Sequence, residues 1–302
     1  MTAAVAARLP ASHALLALAV VAVWGTNFSV IKVALAAVPP LLLAVLRFAL
    51  ALFPALLFVP RPAVSWRRLA AYGVCIGAGQ FGLLYIAMQG HVSPGLASLI
   101  VQVQVFFTIG LAMLDARDGR RERLRPFQWL ALGLAAAGIG VIALNTGGDT
   151  SVLGVVLVLL AAGGWAAGNQ VARGMGRVDM LGVVVWSSAF ALPPLLLLSL
   201  WLEGPARIAG ALAGATWPAW LAVAWQAVGN TLFGYAVWGW LLARHPAATV
   251  APMALLVPVF GMATSALTLG EALPAWKLGA AGLVIAGLAI NLLWPRLVPR
   301  RF

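Results

Sequence analysis

Residues 14–36 read ALLALAVVAVWGTNFSVIKVALA, and the reading of this run decides the fold. As a helix rising about 1.5 Å per residue it spans the ~30 Å hydrocarbon layer of a bilayer. The Ala34-Leu35-Ala36 triplet has the look of a cleavage site, which makes a signal peptide the competing reading. The apolar core of a signal peptide is only about 7–15 residues long, however. This run is longer and carries Asn27 and Lys32, so it is a retained first span. Runs of the same kind follow at 40–59, 69–89, 94–114, 127–145, 152–172, 180–201, 217–242, 247–269 and 275–294. With 63% hydrophobic and 9% charged residues and a mean hydropathy of +1.02, the chain lacks the charge to cover a soluble domain. The expectation is an all-α membrane protein of ten transmembrane helices.

The links fix the expected orientation. With the N-terminus in the cytoplasm, the inner segments hold Arg8, Arg61, Arg67, Arg68, Arg117, Arg120, Arg121, Arg123, Arg125, Arg173, Arg177, Arg244, Arg296, Arg300 and Arg301. The outer segments hold only Arg207 and Lys277, while Lys32 and Arg47 fall within spans. That asymmetry predicts both termini inside. It also accounts for the net charge of +12 without nucleic acid. The single cysteine, Cys75, makes no intrachain disulfide, and no Cys/His spacing suits a metal. No cofactor is expected.

The two halves resemble each other. ERLRPFQWLALGLAAAGIGVIALN at 122–145 aligns with EALPAWKLGAAGLVIAGLAINLLW at 271–294, matching Glu122 to Glu271, Gly133 to Gly282 and Gly138 to Gly287. Earlier in the halves Trp24 meets Trp165, Lys32 meets Arg173 and Pro54 meets Pro193. The chain reads as two five-helix units, 14–145 and 152–294. Five is odd, so the second unit enters the membrane inverted, a plan that suits a site near the midplane.

Polar residues inside the spans mark the candidate site. They include Asn27 in span one, Gln80 in three, Gln102 and Gln104 in four, Asn169 in six, and Gln226, Asn230, Thr231 and Tyr235 in eight. A single amide is more often glue between helices than cavity lining. Several amides and aromatics at one depth, from both halves, predict a shared cavity. The candidate lining residues are Trp24, Asn27, Gln80, Gln104, Trp165, Asn169, Asn230, Tyr235 and Trp238. Trp66, Trp201, Trp217, Trp276 and Trp294 lie near span ends as interfacial anchors. Pro258, Gly261 and Gly234 are candidate gating positions, because proline removes a helix hydrogen bond and glycine permits bending or close contact. Lys32 and Arg47 either snorkel outward or form a positive outer vestibule that meets a carboxylate. No acid lies within a span, so a buried carboxylate relay is not expected, and transport without proton coupling is.

The segments VWGTNFSVIKVAL, PPLLLAVLRF, GLASLIVQVQVFFT, the basic-Glu-Arg-Leu link at 121–124, WSSAFALPP, GYAVWGWLLARHP and VAPMALLVPVFGMATSALTLGE together resemble the drug/metabolite transporter superfamily, EamA branch. The likeness is nearest to bacterial exporters of amino acids and related metabolites, of the cysteine/O-acetylserine and aromatic amino acid type. It implies ten helices in two inverted repeats around a central cavity. It further implies export by alternating access, a bacterial inner-membrane location and no catalytic centre. Many relatives carry a mid-helix proline in span four where this chain has Gln102-Val103-Gln104-Val105, so the helices four and nine are not expected to match strictly. The link DARDGRRERL after span four is also longer than usual.

A small zwitterionic metabolite is thus the expected substrate, moved as uniport or exchange. The expected partners are that substrate and the lipid bilayer, with no nucleic acid and no second chain required. A proton-coupled exporter of the same fold is the alternative. A membrane enzyme would need a clustered set of acids, bases or metal ligands, and the sequence has none inside a span.

Overall fold

The computed structural model describes residues 9–114 and 124–297. Arg8, Asp115, Arg117, Asp118, Arg120, Arg121, Glu122, Arg123, Arg300 and Arg301 lie outside the described residues, and with them much of the expected charge asymmetry.

Nine described helices are long and apolar enough to cross a membrane: Ala11–Leu35, Pro40–Leu57, Trp66–Met88, Pro94–Leu114, Pro126–Leu144, Val152–Arg173, Met180–Leu202, Ala251–Leu269 and Ala275–Trp294. The remaining expected span, Trp217–Arg244, follows a short helix, Pro205–Gly214, across a bend of 103°. The expected boundaries agree within a few residues, apart from that short helix, which falls in an expected link. Its cause is local: Gly204 takes φ 80°, a left-handed turn open to glycine, and Pro205 then starts a helix without needing its missing N–H. Pro40, Pro94 and Pro126 start spans two, four and five in the same way. Ser151 and Asp179 cap spans six and seven by accepting from the backbone N–H of Gly154 and of Leu181 and Gly182.

The packing is paired between the halves. Span one packs on nine and eight, as span six packs on four and three. Span two packs on seven, and five on ten. Exchanging one half for the other maps this set of contacts onto itself. The matched glycines show why the last pair is so close. A Cβ at Gly138 would lie 2.7 Å from Val284 Cγ2, and one at Gly287 would lie 2.5 Å from the Ala131 carbonyl oxygen. Each glycine lets the opposite backbone approach.

Irregular turns are paired too. Span three carries a π-helical stretch at Cys75–Gly82 and span eight one at Trp225–Phe233. Spans four and nine carry 3-10 turns at Val101–Val103 and Ala251–Leu256. Such departures free backbone groups and collect at functional places in helices. Span four therefore breaks in the zone where it lacks the proline, so the difference expected between four and nine is smaller than the sequence implied.

Two expectations about charge need correction. Lys277 is not an exposed outer charge: it is 3% exposed and pairs with Glu271 at 3.0 Å and Asp149 at 3.2 Å. Glu271 also accepts from Ser93 Oγ (2.5 Å), from the Gly95 N–H (2.9 Å) and from Ser265 Oγ. It thereby ties the starts of spans four and ten to the end of nine. Arg47 does not reach outward either. It is 1% exposed and held inside the bundle, because Thr231 and Tyr85 accept its hydrogen bonds there.

Candidate functional site

The bundle encloses a cavity of about 370 Å³, lined from spans one, three, four, six, eight, nine and ten. Eight of the nine candidate residues line it: Trp24, Asn27, Gln80, Gln104, Trp165, Asn230, Tyr235 and Trp238. They converge because the spans that carry them are the ones that cross between the halves.

The ninth, Asn169, does not reach the cavity. Its Nδ2 donates to Gln104 Oε1 at 2.9 Å and to Thr108 Oγ1 at 3.3 Å. It positions Gln104, which makes it the glue that a lone amide in a membrane helix often is. Gln226 and Thr231 likewise turn from the cavity: Gln226 Oε1 accepts from Tyr85, and Thr231 Oγ1 donates to the Gln226 carbonyl at 2.8 Å.

The aromatic wall is fixed by hydrogen bonding. Trp24 Nε1 donates to the Asn230 carbonyl at 3.1 Å, an oxygen within the π-helical stretch. The Trp24 ring lies 5.1 Å from that of Trp238 and 5.9 Å from that of Tyr235. A Cβ at Gly234 would lie 2.3 Å from Trp24 Nε1, so glycine there is what admits the indole.

The amides are the other feature. Asn27 Oδ1, Gln80 Oε1 and Asn291 Oδ1 are buried and accept no described hydrogen bond, and all three residues line the cavity. A buried acceptor without a partner costs on the order of 1–3 kcal/mol. Such groups in a native interior call for an explanation, and a polar guest is one.

Tyr72, Phe81, Gln102 and Asn291 also line the cavity and were not among the candidate lining residues. A signal for them existed. Asn291 is a lone amide in an apolar run, and all 3 tyrosines fall inside spans three and eight rather than at interfaces.

Among the gating candidates, Gly261 sits in a seam. A Cβ there would lie 2.3 Å from Ser98 Oγ, and a Cβ at Gly25 would lie 2.4 Å from Phe260 Cβ. Pro258 is buried at the start of the regular helix that follows the 3-10 turn of span nine. Lys32 donates from Nζ to the Met88 carbonyl at 3.4 Å, near the ends of spans one and three.

The cavity is not centred. Its lining includes the start of span nine (Ala251, Ala254, Leu255) and the end of span ten (Leu288, Asn291, Leu292), residues that are part-exposed apart from Leu288. The opposite half is filled by Ala34, Leu43, Tyr85, Met88, Leu96, Leu99 and Ile100, each fully buried.

The EamA-like transporter family matches this chain twice, over residues 11–144 and 152–293. A Salmonella typhimurium protein described as a probable amino-acid metabolite efflux pump is 42% identical over 282 residues, covering 91% of this chain and 93% of the relative. An Escherichia coli K12 protein of the same description is 40% identical over 283 residues, with the same coverage. A solved structure, described only as the crystal structure of a protein, is similar with a TM-score of 0.62 at 21% identity. It covers 96% of this chain and 99% of that chain.

Proposed function

The chain belongs to the EamA-like transporter family, and from that membership we propose that it exports amino acids or related small zwitterionic metabolites across the bacterial inner membrane. Export runs by alternating access through the central cavity, as uniport or exchange. The observation that carries this reading is one chamber, walled by both halves, in which three amide oxygens have no partner among the described residues. An ammonium group brings three N–H donors, and an amide turned about its last torsion offers NH₂ to a carboxylate instead. Trp24, Trp165, Tyr235 and Trp238 supply flat apolar surface for the rest of the molecule. A volume of about 370 Å³ is at the small end of ligand sites, which are roughly 300–1,000 Å³. The relatives' description as amino-acid metabolite efflux pumps supports the same class.

The two units, 14–145 and 152–294, are inverted repeats with both termini in the cytoplasm. The paired packing, the paired π-helical and 3-10 stretches and the double family match support that arrangement. In this orientation the part-exposed mouth at Ala251 and Asn291 faces the cytoplasm, which is the loading state of an exporter. The described acids support transport without a carboxylate relay, because none lines the cavity.

The test is efflux from proteoliposomes loaded with a mixture of labelled amino acids, with and without an ionophore that collapses the proton gradient. Saturable, protein-dependent loss of particular amino acids, insensitive to the ionophore, is the expected result. Absence of any amino-acid flux from folded protein overturns the substrate class. Flux that stops with the ionophore overturns uniport.

A further inference from the structure

Arg47 carries a charge that no described acid answers, with the Phe81 ring as its nearest cation–π partner. Its backbone lies about 10 Å into span two, counted from Pro40 at helical rise. Nε donates to Thr231 Oγ1 at 3.2 Å and Nη1 to Tyr85 Oη at 2.9 Å, both neutral acceptors. Nη2 enters none of the described hydrogen bonds. The described acids are engaged elsewhere. Glu203 accepts from the backbone of Leu41 and Leu42, Asp179 caps span seven, and Glu271 and Asp149 pair with Lys277. A guanidinium does not shed its proton in a protein. Holding it buried and unpaired is expensive, and intramembrane charges that persist tend to have a task.

One layer of side chains separates this charge from the cavity. The Arg47 guanidinium carbon lies 3.6 Å from the centre of the Phe81 ring. Phe81, Tyr72 and Tyr235 line the cavity on one side and, on the other, a void of about 10 Å³ against Arg47, Ser187 and Thr231. An atom resting on the cavity face of Phe81 is thus about 7 Å from the guanidinium, allowing a van der Waals separation of about 3.5 Å. Water does not fill that gap, since the ring does.

We propose that Arg47 sets the charge selectivity of the cavity. It draws the substrate's carboxylate to the wall formed by Tyr72, Phe81 and Tyr235, and it disfavours substrates of net positive charge. Zwitterionic and anionic carboxylates enter, and cationic amino acids and amines are turned away. The ammonium group is left to the amide oxygens of Asn27, Gln80 and Asn291. Arg47 acts through the wall, so it is a specificity-determining residue and not a contact. This inference rests on the amino-acid reading above.

The test compares counterflow of alanine, glutamate and lysine by wild type, R47K, R47Q and R47M in proteoliposomes. Wild type and R47K are expected to prefer alanine and glutamate over lysine. In R47Q and R47M the hold on the carboxylate weakens by a factor on the order of ten to fifty, from a unit charge about 7 Å away at an effective dielectric constant near 20, and the preference over lysine falls as the repulsion of its side-chain ammonium is lost. The KM for alanine rises in step. A folded R47M with wild-type KM and wild-type selectivity overturns the proposal, because a merely structural arginine would leave the ratio alone. If the neutral variants do not fold, wild type alone decides: lysine taken as readily as alanine overturns the role of Arg47 and leaves amino-acid transport standing. Wild type that moves no amino acid removes the substrate reading itself, and this inference with it.

Discussion

A methyl group added at Gly261 tests whether the packed outer half is a gate. The Cβ would lie 2.3 Å from Ser98 Oγ and 2.5 Å from Ser98 Cβ, and Ser98 is fully buried on span four. Ser98 has little room to yield, since its hydroxyl already donates to the Gly95 carbonyl at 2.7 Å. Overpacking of this kind costs about 1–3 kcal/mol. If spans four and nine separate here when the cavity opens outward, the strain exists in the closed state alone. The equilibrium then shifts toward outward-open by about 5- to 150-fold. The assay is labelling of A97C, in a C75S background, by a membrane-impermeant maleimide added on the side that carries Glu271. Ala97 is fully buried next to the seam, so labelling is slow in the parent and faster in G261A. Adding S98G removes the colliding atoms and returns the rate toward that of the parent. Unchanged labelling in folded G261A refutes the seam as a gate. Faster labelling that S98G does not reverse refutes the steric cause.

The polar groups give three further expected outcomes. N27L and Q80L raise the KM for a zwitterion by about tenfold or more, as a hydrogen bond to a charged group is worth about 1.5–3 kcal/mol, yet leave the detergent melting temperature equal or higher, since each removes a buried group without a partner. N169L has the opposite signature, with a lower melting temperature, because Asn169 is bonded to Gln104. K277M lowers stability by about 3–5 kcal/mol in detergent unfolding, because Glu271 is left buried without its cation, and E271Q/K277M recovers part of that loss. Asp149 contributes little, being 51% exposed.

The candidate site was largely legible in the sequence because lipid makes polarity conspicuous. In an oil-like solvent an unpaired amide is costly, so Asn27, Gln80 and Asn230 stand out in apolar runs and a shared cavity is the economical account. Aromatic lining was less legible. Phe81 and Tyr72 look the same in sequence whether they face lipid, core or cavity. Asn169 and Gln226 show the converse limit: their composition gives no sign of whether a neighbouring helix supplies a partner.

What the sequence determined alone was the rough bounds of the nine to ten apolar helices long enough to cross a membrane, the likeness of the two halves, and the depth at which polar groups gather. Each follows from local properties: apolar length against bilayer thickness, and residue type against position along a helix. What only the tertiary structure decided was how the groups are paired. Arg47 and Lys277 both lie within a few turns of a span end; Arg47 reads as snorkelling outward or facing an outer vestibule, and Lys277 as a charge of an outer segment. The fold buries both, giving Lys277 the carboxylate of Glu271 and Arg47 two hydroxyls beneath the ring of Phe81. Pairing across helices is set by rotation and crossing, which no single span encodes. That is why the depth of a charge could be read from the chain and its partner could not.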